Sequence, residues 1–141
     1  MLDKELLLCD AQRICDAGTT EYSENAIDLG AARNIAKGQT LYVVIIVDVL
    51  FAGTGATLTI SVVSASDNNL TSDQVVQIAT PAIAKSVLTA GRVPIVLALP
   101  PLPAAGGAQR YLGLKFVCDN TSFETTGSIT AFIALDASTN F

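Results

Sequence analysis

Apolar and polar positions along this chain repeat with a period of two, and the elements they predict are strands. The longest apolar stretch is Leu41–Phe51, Leu-Tyr-Val-Val-Ile-Ile-Val-Asp-Val-Leu-Phe. Its β-branched residues suit a pleated surface and crowd a helix. As a strand it places Leu41, Val43, Ile45, Val47, Val49 and Phe51 on one face and Tyr42, Val44, Ile46, Asp48 and Leu50 on the other. Both faces are apolar until Asp48, whereas a strand with one wet face alternates. The odd-numbered face is expected to fill a core. The Tyr42, Val44, Ile46 face needs a second cover, and the sequence offers no long amphipathic helix to supply one.

The remaining pattern is read from the N-terminus. Residues 1–18 carry Leu2, Leu6, Leu7, Leu8, Cys9 and Ile14 without a clean period, and are read as a partly extended N-terminal arm: either a clamp on a neighbour through Leu2, Leu6 and Leu7, or a strand or helix folded back on its own sandwich. A short strand ends at Gly30, followed by a polar connection over Ala31–Gln39. The Gly-containing loop Ala52–Ala56 has hairpin length, so Leu41–Phe51 is expected to pair with a return strand over Thr57–Ser64. Further strands are expected over Ser72–Thr80, Arg92–Leu99, Arg110–Cys118 and Ser128–Asp136, with one helical turn within Ala82–Gly91. Pro94 has no N–H to donate to a ladder and belongs at an edge or a strand start. Seven or eight strands without a long helix predict an all-β, antiparallel, jelly-roll-like β-sandwich over residues 19–141, preceded by the arm.

Composition narrows the function. Of 141 residues half are hydrophobic and only 15% are charged, against a usual ~25%. So charge-poor a chain is expected to bury surface against partners. The net charge of −5 with scattered Lys and Arg argues against direct nucleic-acid binding. No apolar run approaches a membrane-spanning length, and the acidic start lacks the pattern of a secretory signal. There is no histidine, which removes the commonest general base and metal ligand together. The three cysteines, Cys9, Cys15 and Cys118, are an odd number. Cys9 and Cys15 are open to pairing, but the reading adopted is reduced thiols in a cytosolic protein.

Candidate chemistry is thin. Asp67–Asp73 holds oxygen ligands at short spacing but lacks the turn glycine and distal glutamate of a calcium loop, and reads as a turn cluster. Gly53–Ala56 and Gly106-Gly107 open no helix after a strand, so they are not phosphate cradles. Asp28, Asp48, Asp119, Glu124 and Asp136 lie on separate elements, with nothing to converge them as a catalytic pair. Asp48 interrupts an apolar face: it marks where that face reaches water, or it pairs with a cation such as Arg92 or Lys115. Cys118 is read as a small buried residue. A sugar- or receptor-binding module would need exposed aromatics, for which Tyr22, Tyr111 and Phe123 are the candidates. Neither a cofactor nor a metal nor catalysis is expected.

Several motifs carry a resemblance: Met1-Leu-Asp-Lys-Glu-Leu-Leu-Leu-Cys-Asp-Ala-Gln12, Asn25-Ala-Ile-Asp-Leu-Gly-Ala-Ala-Arg33, Leu41-Tyr-Val-Val44 and Arg110-Tyr-Leu-Gly-Leu114. In these the chain resembles the Bbp16-like capsid cement proteins of tailed bacteriophages. The resemblance implies a jelly-roll protein made in the host cytoplasm and bound to the outside of an icosahedral head. It implies a homo-oligomer, dimer or trimer, bridging copies of the major capsid protein without catalysis. The residues expected at partner contacts are Leu2, Leu6, Leu7, Tyr42, Val44 and Ile46.

Overall fold

Strand β4 (Leu41–Ala52), which contains the long apolar run, lies inside a sheet with a strand bonded to each edge. The structure is a computed structural model that describes residues 4–15, 18–31, 38–52, 57–101, 109–119 and 126–135. Among these, β1 (Leu7–Gln12), β10 (Thr126–Ala134), β4 and β8 (Ile95–Leu99) form a four-stranded sheet in the order β1-β10-β4-β8. The facing sheet runs β2 (Thr20–Tyr22), β9 (Tyr111–Cys118), β5 (Thr57–Ala65), β6 (Val75–Ala79). The short β3 (Ile27–Asp28) also pairs with β9, and β7 (Ile83–Ala84) with β5. Every pairing is antiparallel. The chain passes from one sheet to the other between β1 and β2, β3 and β4, β4 and β5, β7 and β8, β8 and β9, and β9 and β10. This is the winding of a jelly-roll-like sandwich, as the strand pattern predicts.

That winding overturns the expected hairpin. β4 and β5 do not pair: β4 bonds β10 and β8, while β5 bonds β9, β6 and β7. A five-residue connection reaches up to about 17 Å. That also spans the ~10 Å between facing sheets, so loop length alone did not distinguish a hairpin from a corner.

Of the two readings of the N-terminal segment, the strand folded back on its own sandwich is the one observed among the described residues. Within residues 4–15 there is no free arm: β1 is an edge strand bonded to β10, and Leu8, Cys9, Ile14 and Cys15 are fully buried in the main core. The expected division at residue 18 therefore runs through a shared core. Apolar residues without a clean period have a physical cause here. β1 shifts register twice against β10, between Leu7 and Cys9 and between Cys9 and Gln12, so alternation breaks while burial continues.

The core lies between the sheets. Val43, Ile45, Val47 and Phe51 of β4 meet Leu58, Ile60 and Val62 of β5, Leu112, Leu114 and Phe116 of β9, and Ile129, Ala131 and Ile133 of β10. The odd-numbered face of β4 thus fills the sandwich with one exception: Val49 is exposed. Val47 pairs with Ile129 and Val49 with the next residue, Ser128, so Asp48 is an extra residue that reverses the facing. A second shift before Ala52 restores it, and Phe51 returns to the core. Gly127 accommodates that return, since a Cβ there would stand 2.7 Å from the Phe51 ring.

A smaller apolar cluster, Val63, Ala65 and Leu70, sits on the outer side of the β5–β9 sheet beneath the 66–74 loop, with Tyr22 and Tyr111 packed against it. Gly113 leaves room for it: an added Cβ would collide with Leu70 Cδ1.

One further expectation fails at the cysteines. Cys15 and Cys118 form a disulfide with Cα atoms 6.5 Å apart, across 103 positions of sequence. Cys9 alone is free; it is buried, and its thiol donates to the Ile129 carbonyl at 3.5 Å. Burial pushes that thiol up to about 12 and makes it inert. The Cys9–Cys15 pairing left open by sequence is excluded because Cys15 is already bonded. Sequence distance hid the true pair, which the fold brings together at one end of β9.

Candidate functional site

The outer face of the four-stranded sheet collects most of the residues expected at partner contacts. Leu7, Phe132, Val44 and Val96 stand opposite one another across all four strands, giving one apolar row. Ala134, Tyr42 and Ala98 form the next row, and Thr130 and Ile46 the row on the other side. Apart from Thr130, every side chain in these rows is apolar or aromatic. Val44 at the centre is only 4% exposed, while Leu7, Tyr42, Ile46, Val96 and Phe132 are half-buried and Ala98 is exposed. β4 is therefore apolar on both faces because one face is core and the other is the middle of a broad apolar surface.

Asp48 closes one end of this surface. It is exposed, and its Oδ2 accepts the Thr130 hydroxyl at 2.5 Å; the Thr130 oxygen in turn accepts the Ala11 N–H at 3.0 Å. The first alternative read from sequence is the observed one, and the two proposed cations are engaged elsewhere. Lys115 donates to Gln74 Oε1 at 3.1 Å. Arg92 donates to the carbonyls of Val87 and Val93 at 3.1 and 3.2 Å.

Leu6 departs from its expected company. It turns to the margin of the core and lines an apolar cleft of about 230 Å³ with Ile27, Leu29, Leu41, Leu112, Ile133 and Leu135. Leu2 lies outside the described residues. Sequence reasoning missed Leu7's partners in the row, Phe132 and Val96, because facing within a strand is legible from alternation but the order of strands in a sheet is not.

The other candidates stay apart. Asp28 lies in the opposite sheet and takes Arg110 in two bonds, Nε to Oδ1 at 2.7 Å and Nη2 to Oδ2 at 2.8 Å, while its Oδ1 also accepts the Gly30 N–H. The Arg110 guanidinium lies 5.1 Å from the centroid of the Tyr111 ring. Both partners of this ion pair are close to half exposed, where such pairs contribute little. Glu124, Asp136, Phe123, Gly53–Ala56 and Gly106-Gly107 lie outside the described residues. Among the described residues no cluster of His, Cys, Asp or Glu has the geometry to hold a metal.

The Asp67 loop is built as a turn. Asp67 Oδ1 accepts the N–H groups of Thr71 and Ser72 at 2.9 and 2.8 Å, and Oδ2 accepts the Thr71 hydroxyl at 2.8 Å. The Ser72 N–H and then the Thr71 hydroxyl hold its carboxyl below the ordinary carboxylate range. A carboxyl depressed on folding stabilises the fold above its unfolded pKa, and that contribution is lost as pH falls through the folded value. Carboxyl NMR titration is expected to place Asp67 below the unperturbed ~3.9 of aspartate, and the Asp67→Asn variant to lose less stability than wild type on acidification through that range.

The family model described as Bbp16 matches residues 8–133, nine-tenths of the chain in one continuous span from β1 to β10. Among curated proteins none matches the sequence.

Proposed function

The chain belongs to the Bbp16 family, and from that premise we propose that it is a structural virion protein. It binds the outer surface of an icosahedral phage head and cements neighbouring major capsid subunits against the pressure of packaged DNA. It is made in the host cytoplasm, acts as a homo-oligomer and performs no catalysis. The observation that carries the reading is the outer face of the β1-β10-β4-β8 sheet. Leu7, Tyr42, Val44, Ile46, Val96 and Phe132 form there an apolar surface on rigid strands, in a chain with few charges. Surfaces of this kind mark protein contacts. Stable protein contacts bury about 1,600 Å² in all, with the affinity carried by well-packed apolar anchors rather than by area alone. Many symmetric copies then add across the shell.

The alternative, a carbohydrate- or receptor-binding module, draws less support. Tyr22 and Tyr111, two of the platforms it needs, are half-buried against Leu70 and Val63. The test compares heads assembled with and without the protein. Those without it are expected to assemble but to release DNA at a lower temperature, and to regain stability when purified protein is added. Equal release temperatures would exclude cementing.

A further inference from the structure

The edge of β8 away from β4 is unlike the other edge of its sheet. At the β1 edge, residues 22–25 close the ladder: Asn25 N–H donates to the Leu8 carbonyl at 2.9 Å, Asn25 Nδ2 to the Leu7 carbonyl at 3.3 Å, and Gln12 bonds Tyr22 and Glu24 through its side chain. β8 bonds β4 on one side and no described strand on the other. Proteins ordinarily guard such an edge with charge, a bulge, proline or a very short strand; β8 has five residues, and its prolines stand outside the ladder, at 94 and 100. Here residues 93–101, Val-Pro-Ile-Val-Leu-Ala-Leu-Pro-Pro, hold no charged residue.

The surroundings are apolar too. Val93, beside the strand, is 65% exposed, the most exposed large apolar side chain among the described residues. Val87, 50% exposed, is tied to it through Arg92, whose guanidinium bonds both backbones. The Leu88 carbonyl accepts the Phe51 N–H, which brings the end of β4 with exposed Val49 to the same corner. Exposed large apolar side chains thus gather beside a strand edge that no second described strand pairs.

We propose that β8 pairs with β8 of a second copy of this chain, antiparallel about a twofold axis at Leu97. The sequence is self-complementary in that register. Ile95 stands opposite Leu99, Val96 opposite Ala98 and Leu97 opposite its own counterpart. Pro94 falls opposite Pro100, so the residues without an N–H bracket the ladder at both ends, where no bond is required. No like charges meet across it. The pairing deepens the proposed function and rests on its self-association. A twofold axis through the sheet edge keeps both outer faces on the same side, so two four-stranded sheets become one continuous apolar floor.

The test needs no head, and so is separable from the capsid reading. The mass of the full chain by sedimentation equilibrium is expected to be twice 14.6 kDa. Val96→Lys/Ala98→Lys sets cations opposite each other in both halves of the pairing, and is expected to give a monomer. Val96→Lys/Ala98→Glu sets a cation opposite an anion twice, and is expected to restore the dimer. The two variants carry the same burden of charged side chains on the same strand, so a folding defect would affect both alike. A wild-type monomer throughout its soluble range, a closed trimer, or two double variants of equal mass would overturn the proposal.

Discussion

Replacing Cys15 and Cys118 together by Ala is expected to lower unfolding free energy by roughly 2–5 kcal/mol, the usual cost of removing a native disulfide from a small domain. The chain-entropy argument sets the upper part of that range. The bond closes a loop across 103 positions, and cross-linking a loop of about 100 residues contributes ~4.7 kcal/mol by restricting the unfolded chain. The native side adds to it. Both cysteines are core residues, and the corner they hold is bonded further by Cys118 N–H to the Thr19 carbonyl at 2.8 Å and by Cys15 N–H to Glu21 Oε2 at 2.5 Å. In urea the variant should show a lower midpoint and a steeper dependence, because an uncrosslinked unfolded chain exposes more surface. Alkylation of denatured, unreduced wild type should label one thiol, Cys9. Three labels with an unchanged midpoint would mean that the pair is not formed in solution. Burial of both sulfurs also slows exchange with external thiols, since attack requires access to the disulfide.

What the sequence disclosed and what it hid divide along a physical line. Facing within a strand is local: alternation put Val43, Ile45 and Val47 in the core and Tyr42, Val44 and Ile46 on the opposite face. Pairing between strands is not local. The β4–β5 hairpin failed because a short loop serves a corner as well as a turn. The Cys15–Cys118 bond was invisible because its partners meet only after the chain has wound between the sheets. Where local rules failed inside a strand, bulges were the cause. Asp48 was legible as the point where an apolar face meets water, but not as the extra residue that turns Val49 outward. In β1 two register shifts break the alternation of a buried edge strand, which is why its pattern leaves an arm and a strand folded back on the sandwich both open. The bracketed apolar run of β8 was in plain view. Its proline was read as an edge signal, yet which edge stays open depends on strand order.

The Tyr42→Ser/Ile46→Ser variant is expected to bind heads about 10- to 10²-fold more weakly than wild type, with its fold intact. Fully burying a large apolar side chain contributes about 1.5–3 kcal/mol, and each 1.4 kcal/mol is tenfold in affinity. Both residues are half-buried on the outer face, with surface left to bury against a partner; Val44 between them is already buried, so its truncation would confound binding with stability. Thermal unfolding should therefore fall only modestly while head binding falls steeply. Val117→Ser supplies the contrast. Val117 is 37% exposed on β9 in the opposite sheet, and its loss should leave binding unchanged. If Val117→Ser releases the protein from heads and the Tyr42, Ile46 variant does not, the sandwich sits on the capsid by its other face. The apolar rows of β10, β4 and β8 would then have to be covered by something else. Because those rows continue to the open edge of β8, the separation of the two effects is itself informative. A protein that still pairs at β8 but no longer binds heads has lost the floor and kept the seam.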